Sequence, residues 1–289
     1  MNLAQSPALA GLFILALAWS AGGLAQGDAK RGEYLANAAG CLGCHTDTKK
    51  DSAPYAGGRA LQTPFGTFFG PNITPHPQAG LGRWSEADFI RAMRDGRRPD
   101  GANYYPAFPY PSFTRIAEAD LRDLWAYLRS LPQVDRPSVP HDLGFFFRWR
   151  FLLWPWKWLF FTSGAFQPDP RATAVVNRGA YLVQALGHCG ECHTPRNFLG
   201  GAKQSRFLGG AKLAKGDGAP NLTPTRLQKK WSDGELRDFL ASGLTPDGDE
   251  VSEAMGEVIR NSTGKLTPQD LAALIAYLRS LPPLPDEPK

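Results

Sequence analysis

Two short stretches of the sequence decide the fold: CLGCH at residues 41–45 and CGECH at residues 189–193. Both have the form Cys-x-x-Cys-His, and together they contain all four cysteines of the chain. A disulfide would close a loop of only two residues and leave the histidine unused. A thioredoxin-like redox site needs a βαβ surrounding, and a zinc site needs further Cys or His at ligand spacing.

The remaining use of this motif is covalent attachment of a c-type haem, which employs each of its defining residues. The two sulfurs bond to the porphyrin, and the adjacent histidine binds the iron from the proximal side. The sequence therefore predicts two covalently bound haem c groups. The predicted attachment residues are Cys41, Cys44, Cys189 and Cys192, and the predicted proximal ligands are His45 and His193.

The two motifs lie in a duplicated unit, because residues 28–132 (unit one) align with residues 175–282 (unit two) at a nearly constant offset. Outside the motifs, the matching stretches are PNITP with PNLTP, WSEADF with WSDGEL, and AYLRSLP, which occurs in both copies. A single duplication of this length indicates two copies of one domain in tandem rather than a long repeat array.

Each unit is predicted to be helical. Ser85 with Asp88, and Ser232 with Glu235, form capping boxes that begin a helix in each copy. Thr267 begins another helix, in which apolar residues recur at helical spacing (LTPQDLAALIAYLRSLP).

A further helix is predicted just before each motif, with Gly32 or Gly179 on one face. A glycine at such a position permits a close crossing with a partner helix. Long Gly- and Pro-rich stretches without strand alternation separate the helices, and a bound group is expected to fill the core between them.

The sequence resembles the dihaem and multihaem cytochrome c subunits of periplasmic and membrane-bound dehydrogenase complexes, such as those of alcohol and gluconate dehydrogenases. The stretches that carry the resemblance are GEYLANAAGCLGCHT, GGRALQTPFGTFFGPNITPHPQAGLGRWSEADF, DGANYYPAFPYPSF and AYLRSLP. The resemblance implies an all-α chain of two tandem class I cytochrome c domains. We expect these domains at residues 27–135 and 172–289, joined by an aromatic-rich linker at residues 136–171.

Residues 1–26 precede the first domain and include PALAGLFILALAWSAGGLA, an uncharged stretch whose apolar part is shorter than a comfortable membrane span. Small residues near its end suit cleavage, so residues 1–26 are predicted to be a secretory signal peptide. A retained membrane anchor is the second interpretation. With either one, the rest of the chain is expected in the periplasm, free or associated with the inner membrane.

The predicted distal iron ligand differs between the units. Met255, in a loop before the last helix, is the internal methionine available to unit two, and methionine usually lies opposite the histidine in cytochromes c. The equivalent position in unit one, 147 residues earlier, is Phe108, which cannot bind iron. Related subunits generally have a methionine there, as YPAMPY instead of YPAFPY.

Three candidates remain for the distal side of the first iron. Met93 lies on the capped helix, and its counterpart in unit two is Leu240, so a methionine and a bulky apolar residue have exchanged places between the copies. His76, in PNITPHP, is the rival protein ligand. The third candidate is an iron that is open or water-bound on this side, and Tyr104, Tyr105 and Tyr110 are more remote alternatives.

Residues 143–161, LGFFFRWRFLLWPWKWLFF, hold ten aromatic residues in nineteen positions. The stretch is too charged, and too interrupted at Pro155, to span a bilayer comfortably. It is either an interfacial membrane segment, with Trp and Arg at headgroup depth, or a bridge buried between the haem domains and against a partner subunit.

The net charge of +5 is too small to favour nucleic acid as a partner. The expected function is one-electron transfer from a partner dehydrogenase to a downstream acceptor of the respiratory chain, with no catalytic residue in this chain. The alternative is a dihaem enzyme, in which the first haem, lacking a methionine at Phe108, is a reactive or ligand-binding centre.

Overall fold

The computed structural model describes residues 27–49, 51–213, 218–249, 251 and 253–286. The predicted signal peptide, residues 1–26, lies outside this part of the chain. Helices dominate both units, and short strands occur in the loops between them.

The described helices of unit one are α1 (Ala29–Ala38), α2 (Cys41–His45), α3 (Glu86–Asp95), α4 (Tyr110–Phe113) and α5 (Glu118–Ser130). In the linker, two 3-10 turns (Phe145–Arg148 and Arg150–Leu152) lead into α6 (Leu153–Phe160). The described helices of unit two are α7 (Ala174–Tyr181), α8 (Gly190–His193), α9 (Pro224–Lys230), α10 (Asp233–Ser242), α11 (Glu253–Asn261) and α12 (Pro268–Ser280). The strands are β1 (Ala60–Thr63), β2 (Gly66–Phe69), β3 (Asp142–Leu143), β4 (Ala211–Lys212) and β5 (Gly218–Ala219).

The first and last helices of each unit cross closely, as the glycine positions predicted. A Cβ atom added to Gly32 would lie 1.9 Å from the carbonyl oxygen of Asp123, and one added to Gly179 would lie 1.9 Å from that of Ala273. Only glycine therefore allows α1 to meet α5, and α7 to meet α12, at this distance. The predicted capping boxes are also present, at the starts of α3 and α10.

A hairpin in unit one was not expected from the sequence. Strands β1 and β2 pair antiparallel, and β2 also pairs with β3 from the linker. Gly66 has φ +126°, and a Cβ atom there would lie 2.4 Å from the carbonyl oxygen of Asp142. The linker strand β3 thus approaches the hairpin closely at a glycine. The hairpin was missed because strands of two to four residues are too short to show clear alternation in sequence.

The two units contact each other through a reciprocal set of polar groups, in which both aspartates are buried. The Tyr34 hydroxyl of unit one donates to Asp270 of unit two at 2.5 Å, and the Tyr181 hydroxyl of unit two donates to Asp120 of unit one at 2.6 Å. Each aspartate also pairs with an arginine of its own unit: Asp120 with Arg31 and Asp270 with Arg178. The interface therefore has approximate twofold symmetry, as expected when two copies of one domain associate face to face.

Candidate haem sites

Both predicted proximal histidines are held in the same way. The Nδ1 atom of His45 lies 2.8 Å from the carbonyl oxygen of Pro71, and that of His193 lies 2.8 Å from the carbonyl oxygen of Pro220. Since a carbonyl oxygen only accepts, Nδ1 must carry the proton and donate it. The Nε2 lone pair of each ring is then free to bind a metal ion, and the proline carbonyl fixes the ring orientation.

Burial lowers the pKa of both histidines below the ordinary value, and the bond to the proline carbonyl only partly opposes this effect. The rings are therefore neutral at pH 7. A neutral imidazole with Nδ1 protonated is the form that binds iron through Nε2. This arrangement fits a proximal haem ligand in both units.

The four cysteines are all among the described residues, and none of them forms a disulfide. Burial raises the pKa of Cys41 and of Cys189 to about 12. It also raises the pKa of Cys44, where the nearby Arg59 guanidinium opposes the effect, and that of Cys192. Two unpaired thiols per motif, beside a free imidazole nitrogen, form the donor set that covalent haem attachment requires.

The chain after each motif follows one path in both units. The Thr46 hydroxyl accepts from the backbone N–H of Tyr55 at 3.0 Å, and the Thr194 hydroxyl accepts from that of Leu208 at 3.0 Å. Tyr55 and Leu208 both have left-handed backbones, with φ +61° and +59°. Left-handed backbone is uncommon for such side chains, so its occurrence at both positions reflects one loop design.

The PNITP and PNLTP stretches hold the prolines that bind the histidines. Asn72 accepts a backbone hydrogen bond from the threonine two residues later and donates to the carbonyl of Val134 at 2.9 Å. Asn221 makes the same local bond and donates to the carbonyl of Leu284 at 2.8 Å. Each asparagine therefore ties the loop under the histidine to the segment that follows the last helix of its unit.

Unit two has one more residue than unit one between its first helix and its motif. The extra residue is absorbed in a π-helical turn, Leu182–Leu186, that continues α7. His188 then occupies the place of Gly40, with φ +38° against +61°. The His188 ring packs 5.3 Å from that of Phe113 in unit one, an interdomain contact that sequence reasoning missed because the residue looks like a surface loop histidine.

Met255, the predicted distal ligand of unit two, lies on α11 rather than in the loop expected from the sequence. Its side chain is partly buried against the main hydrophobic core. A Met in this position can move its flexible thioether without moving the helix.

In unit one, the residue that aligns with Met255 is Phe108, and it lies in an aromatic cluster. The Phe108 ring lies 5.3 Å from that of Tyr104, 5.8 Å from that of Phe113 and 6.4 Å from that of Tyr110. Met93 is 6% exposed on α3 and belongs to the core cluster against which Met255 packs.

His76, the rival ligand, has both ring nitrogens in contact with its own unit. Its Nδ1 atom accepts from the backbone N–H of Ala79 at 3.1 Å, and its Nε2 atom lies 3.7 Å from the Asp135 carboxylate. Iron binding by His76 would require at least one of these contacts to break.

Each unit contacts the cysteine motif of the other. Helix α11 of unit two packs on α2, where a Cβ atom on Gly43 would lie 3.3 Å from the Asn261 side chain. Beside this contact, Arg59 pairs with Glu257 of α11 at 2.7 Å. In the reciprocal contact, the Ser112 hydroxyl of unit one donates to Glu191, inside the second motif, at 2.7 Å. The two attachment sites therefore face the unit interface.

The zinc interpretation requires clustered ligands. Within the described residues, no group of three or more His, Cys, Asp or Glu side chains is arranged to hold a metal ion. Paired sulfurs and an oriented histidine occur instead, once in each unit.

A family model for cytochrome c matches residues 29–132 and 176–282. The chain belongs to the cytochrome c family. Its two cytochrome c domains carry two covalently bound haem c groups, and its function is electron transfer.

Three relatives of this cytochrome are informative. A "Diheme cytochrome c-type" protein of Cereibacter sphaeroides is 42% identical over 265 residues, which cover 89% of this chain and 86% of that protein. The cytochrome c subunit of an alcohol dehydrogenase (quinone) from Komagataeibacter europaeus is 39% identical over 269 residues, covering 89% and 56%. The fructose dehydrogenase cytochrome subunit of Gluconobacter japonicus is 40% identical over 256 residues, covering 87% and 52%. This cytochrome therefore spans about half the length of these two dehydrogenase subunits.

Proposed function

We propose that this cytochrome accepts single electrons from a partner dehydrogenase and passes them to an acceptor of the respiratory chain. The relatives that support the proposal are named as cytochrome subunits of alcohol and fructose dehydrogenases. Following the signal-peptide interpretation of residues 1–26, we place the protein in the periplasm, in contact with the inner membrane through residues 143–161.

The paired hydrogen bonds of His45 to Pro71 and of His193 to Pro220 carry this proposal. We assign His45 and His193 as proximal ligands because each presents a free Nε2 atom next to two unpaired thiols. A haem bound at each site supplies a one-electron iron couple. The protein contributes the attachment residues Cys41, Cys44, Cys189 and Cys192, the imidazole orientation and the burial of both sites.

We assign Met255 as the distal ligand in unit two and Met93 in unit one. Met93 is buried on a helix of the distal region, and its exchange with Leu240 between the copies supports the assignment. His76 is the weaker candidate, because its two ring nitrogens already contact Ala79 and Asp135.

The ferric protein tests these assignments through its methionine-to-iron charge-transfer bands in near-infrared absorption and magnetic circular dichroism. We expect two bands, of which Met255→Leu removes one and Met93→Leu the other. A single band that survives Met93→Leu would refute Met93 as a ligand. Phe108→Met is the complementary variant, since it restores a methionine at the position that Met255 holds in unit two.

Electron transfer from a dehydrogenase is tested by mixing the oxidised cytochrome with the dehydrogenase that co-purifies from the native membrane. Adding that enzyme's substrate should reduce both haems within the enzyme's turnover time. Reduction by substrate without any dehydrogenase, or carbon monoxide binding to the first haem, would instead favour the dihaem enzyme.

A further inference from the structure

The linker helix α6 has an inverted distribution of polar and apolar side chains. Its buried side chain is Lys157, whereas Trp154, Trp158 and Leu159 are exposed. Trp158 is 84% exposed. Burying a lysine and exposing tryptophans is unfavourable in water, so this helix is arranged for a surface other than water.

Lys157 fixes this orientation. Its ammonium group donates to the carbonyl of Asp95, at the end of α3, and to the side chain of Asn103 at 3.1 Å. It also lies 5.3 Å and 5.2 Å from the ring centres of Tyr110 and Phe161. Because the lysine is anchored in unit one, the opposite face of α6 must point outward.

The exposed apolar surface extends beyond α6 in both directions along the protein. The 3-10 turns before the helix expose further aromatic side chains, among them Phe145, Phe146 and Phe151. Unit two adds Phe198, which is 89% exposed, in a loop fixed to the linker by the bond from the Trp156 indole N–H to the carbonyl of Leu199 at 2.9 Å. We call the exposed residues of 145–159, together with Phe198 and Leu199, the aromatic surface.

Positive charges lie next to the aromatic surface. No Asp or Glu occurs between Asp142 and Asp169. The Arg97 guanidinium lies over the Trp154 ring at 4.5 Å, and Arg148 is held by its Nε bond to the carbonyl of Leu143 at 2.9 Å. Arginines beside exposed tryptophans complement anionic lipid headgroups, while the rings reach the boundary of the acyl chains.

The geometry also excludes a spanning role for this part of the chain. An eight-residue helix rises about 12 Å, whereas the hydrocarbon core of a bilayer is about 30 Å thick. Among the described residues, no helix combines the length and the apolar character needed to cross a membrane. A short helix that exposes protruding aromatic rings next to cations fits the interfacial plane of one leaflet.

We propose that the aromatic surface inserts into the interfacial region of an anionic phospholipid bilayer and holds both haem domains against it. The inference deepens the proposed function, since it rests on the proposed location at the inner membrane. Electron transfer does not depend on it, because reduction by a dehydrogenase in detergent solution can succeed when membrane binding fails.

Flotation of the purified holoprotein with vesicles of phosphatidylethanolamine and phosphatidylglycerol tests the proposal. The double variant Trp158→Ser and Phe198→Ser should bind at least about tenfold more weakly. Leu159→Ser and Leu244→Ser form a matched pair, because both leucines are 55% exposed and only Leu159 belongs to the aromatic surface. Leu159→Ser should weaken binding, and Leu244→Ser should leave it unchanged.

A second arm tests the charge. Arg148→Gln should weaken binding to phosphatidylglycerol vesicles, and added salt should reduce that difference. An unchanged Soret spectrum in every variant shows that the haem domains are folded. Binding that survives the double variant would overturn the proposal. If that variant also loses its complex with the dehydrogenase, the aromatic surface is a protein interface instead.

Discussion

Units one and two hold their predicted proximal histidines alike and differ at the predicted distal position. The bonds of His45 to Pro71 and of His193 to Pro220 have equal lengths of 2.8 Å, and the threonine after each motif makes the same loop contact. At the predicted distal position, unit two has Met255 on a helix, whereas unit one has Phe108 in an aromatic cluster.

The difference shows which part of the duplicated fold was free to change. The proximal side must hold a ring and two sulfurs in one geometry, and a shift of the loop would break all three together. The distal ligand is a single side chain, and replacing it changes the iron environment without unfolding the domain. Divergence of two copies is therefore expected at the distal ligand first.

The largest expected effect comes from removing the attachment residues of one unit. The double variant Cys189→Ser and Cys192→Ser should lose the covalent haem of unit two and keep that of unit one, because a serine oxygen forms no thioether. Intact mass and the pyridine haemochrome assay should give one haem per chain. The matched variant Cys41→Ser and Cys44→Ser should give the converse, and two covalent haems in either variant would refute the assignment.

Replacing the glycine at the helix crossing should destabilise the protein equally in the two units. Gly32→Ala and Gly179→Ala each place a Cβ atom 1.9 Å from a backbone oxygen, so we expect each to lower the free energy of unfolding by about 3 kcal/mol. Urea denaturation monitored by circular dichroism measures this. Gly234→Ala is the control, because its nearest neighbour would be 3.8 Å away and alanine favours the helix by about 1 kcal/mol. A cost in one unit alone would show that the second crossing can relax.

Removing the hydroxyl group of Tyr34 or of Tyr181 should lower stability by smaller and unequal amounts. Tyr34→Phe and Tyr181→Phe each remove a hydrogen bond to an aspartate of the other unit, worth about 1–2 kcal/mol. We expect the larger loss for Tyr181→Phe, because Tyr181 is 8% exposed whereas Tyr34 is only partly buried. Thermal unfolding of the two variants side by side measures the difference, and a larger loss for Tyr34→Phe would contradict this order.

Acid should weaken the Tyr34 side of the interface. Burial alone would raise the pKa of Asp270, but the hydrogen bonds from Arg178 and Tyr34 outweigh it and lower that pKa below the ordinary value. The carboxylate therefore stabilises the fold at pH values above its unfolded pKa of about 4. This contribution disappears as the pH falls through the lower folded pKa. Tyr34→Phe should reduce the stability lost between pH 7 and acid, measured by urea titration at each pH.

The smallest expected effect concerns the ion pair between Arg59 and Glu257. Both side chains are partly exposed, so Glu257→Gln should change stability by less than about 1 kcal/mol. Glu257 lies on α11, which packs on α2 and so brings this negative charge next to the first motif. Its removal should therefore raise the potential of the first haem, measured by redox titration. Glu118→Gln, at an exposed ion pair, is the control and should shift neither potential.

Much of this molecule could be predicted locally. The capping boxes at Ser85 and Ser232, and the tight crossings at Gly32 and Gly179, occur as expected, because a cap or a missing Cβ acts within one or two turns of chain. The hairpin at 60–69 was missed, because its strands are short and it depends on β3 from the linker.

The position of Met255 on a helix was also unexpected, because the glycine beside it indicated a loop. The contacts of α11 explain the difference. Asn261 lies against Gly43, and Glu257 binds Arg59, so a helix of marginal sequence is stabilised by packing on the other unit. Helices of this length are decided by tertiary contacts more than by propensity.

The sequence by itself determined the two haem motifs, the duplication, the helical domains and the missing methionine at Phe108, because each depends on residue identity at fixed spacing. The tertiary structure decided how the two copies meet. A tyrosine bonds to an aspartate in both directions, and α11 and Ser112 each contact the cysteine motif of the other unit. It also decided that Lys157 is buried, so that the tryptophans of α6 face outward. These features join residues up to 236 positions apart, as with Tyr34 and Asp270. No local pattern encodes such pairs, because they arise from the packing of whole elements.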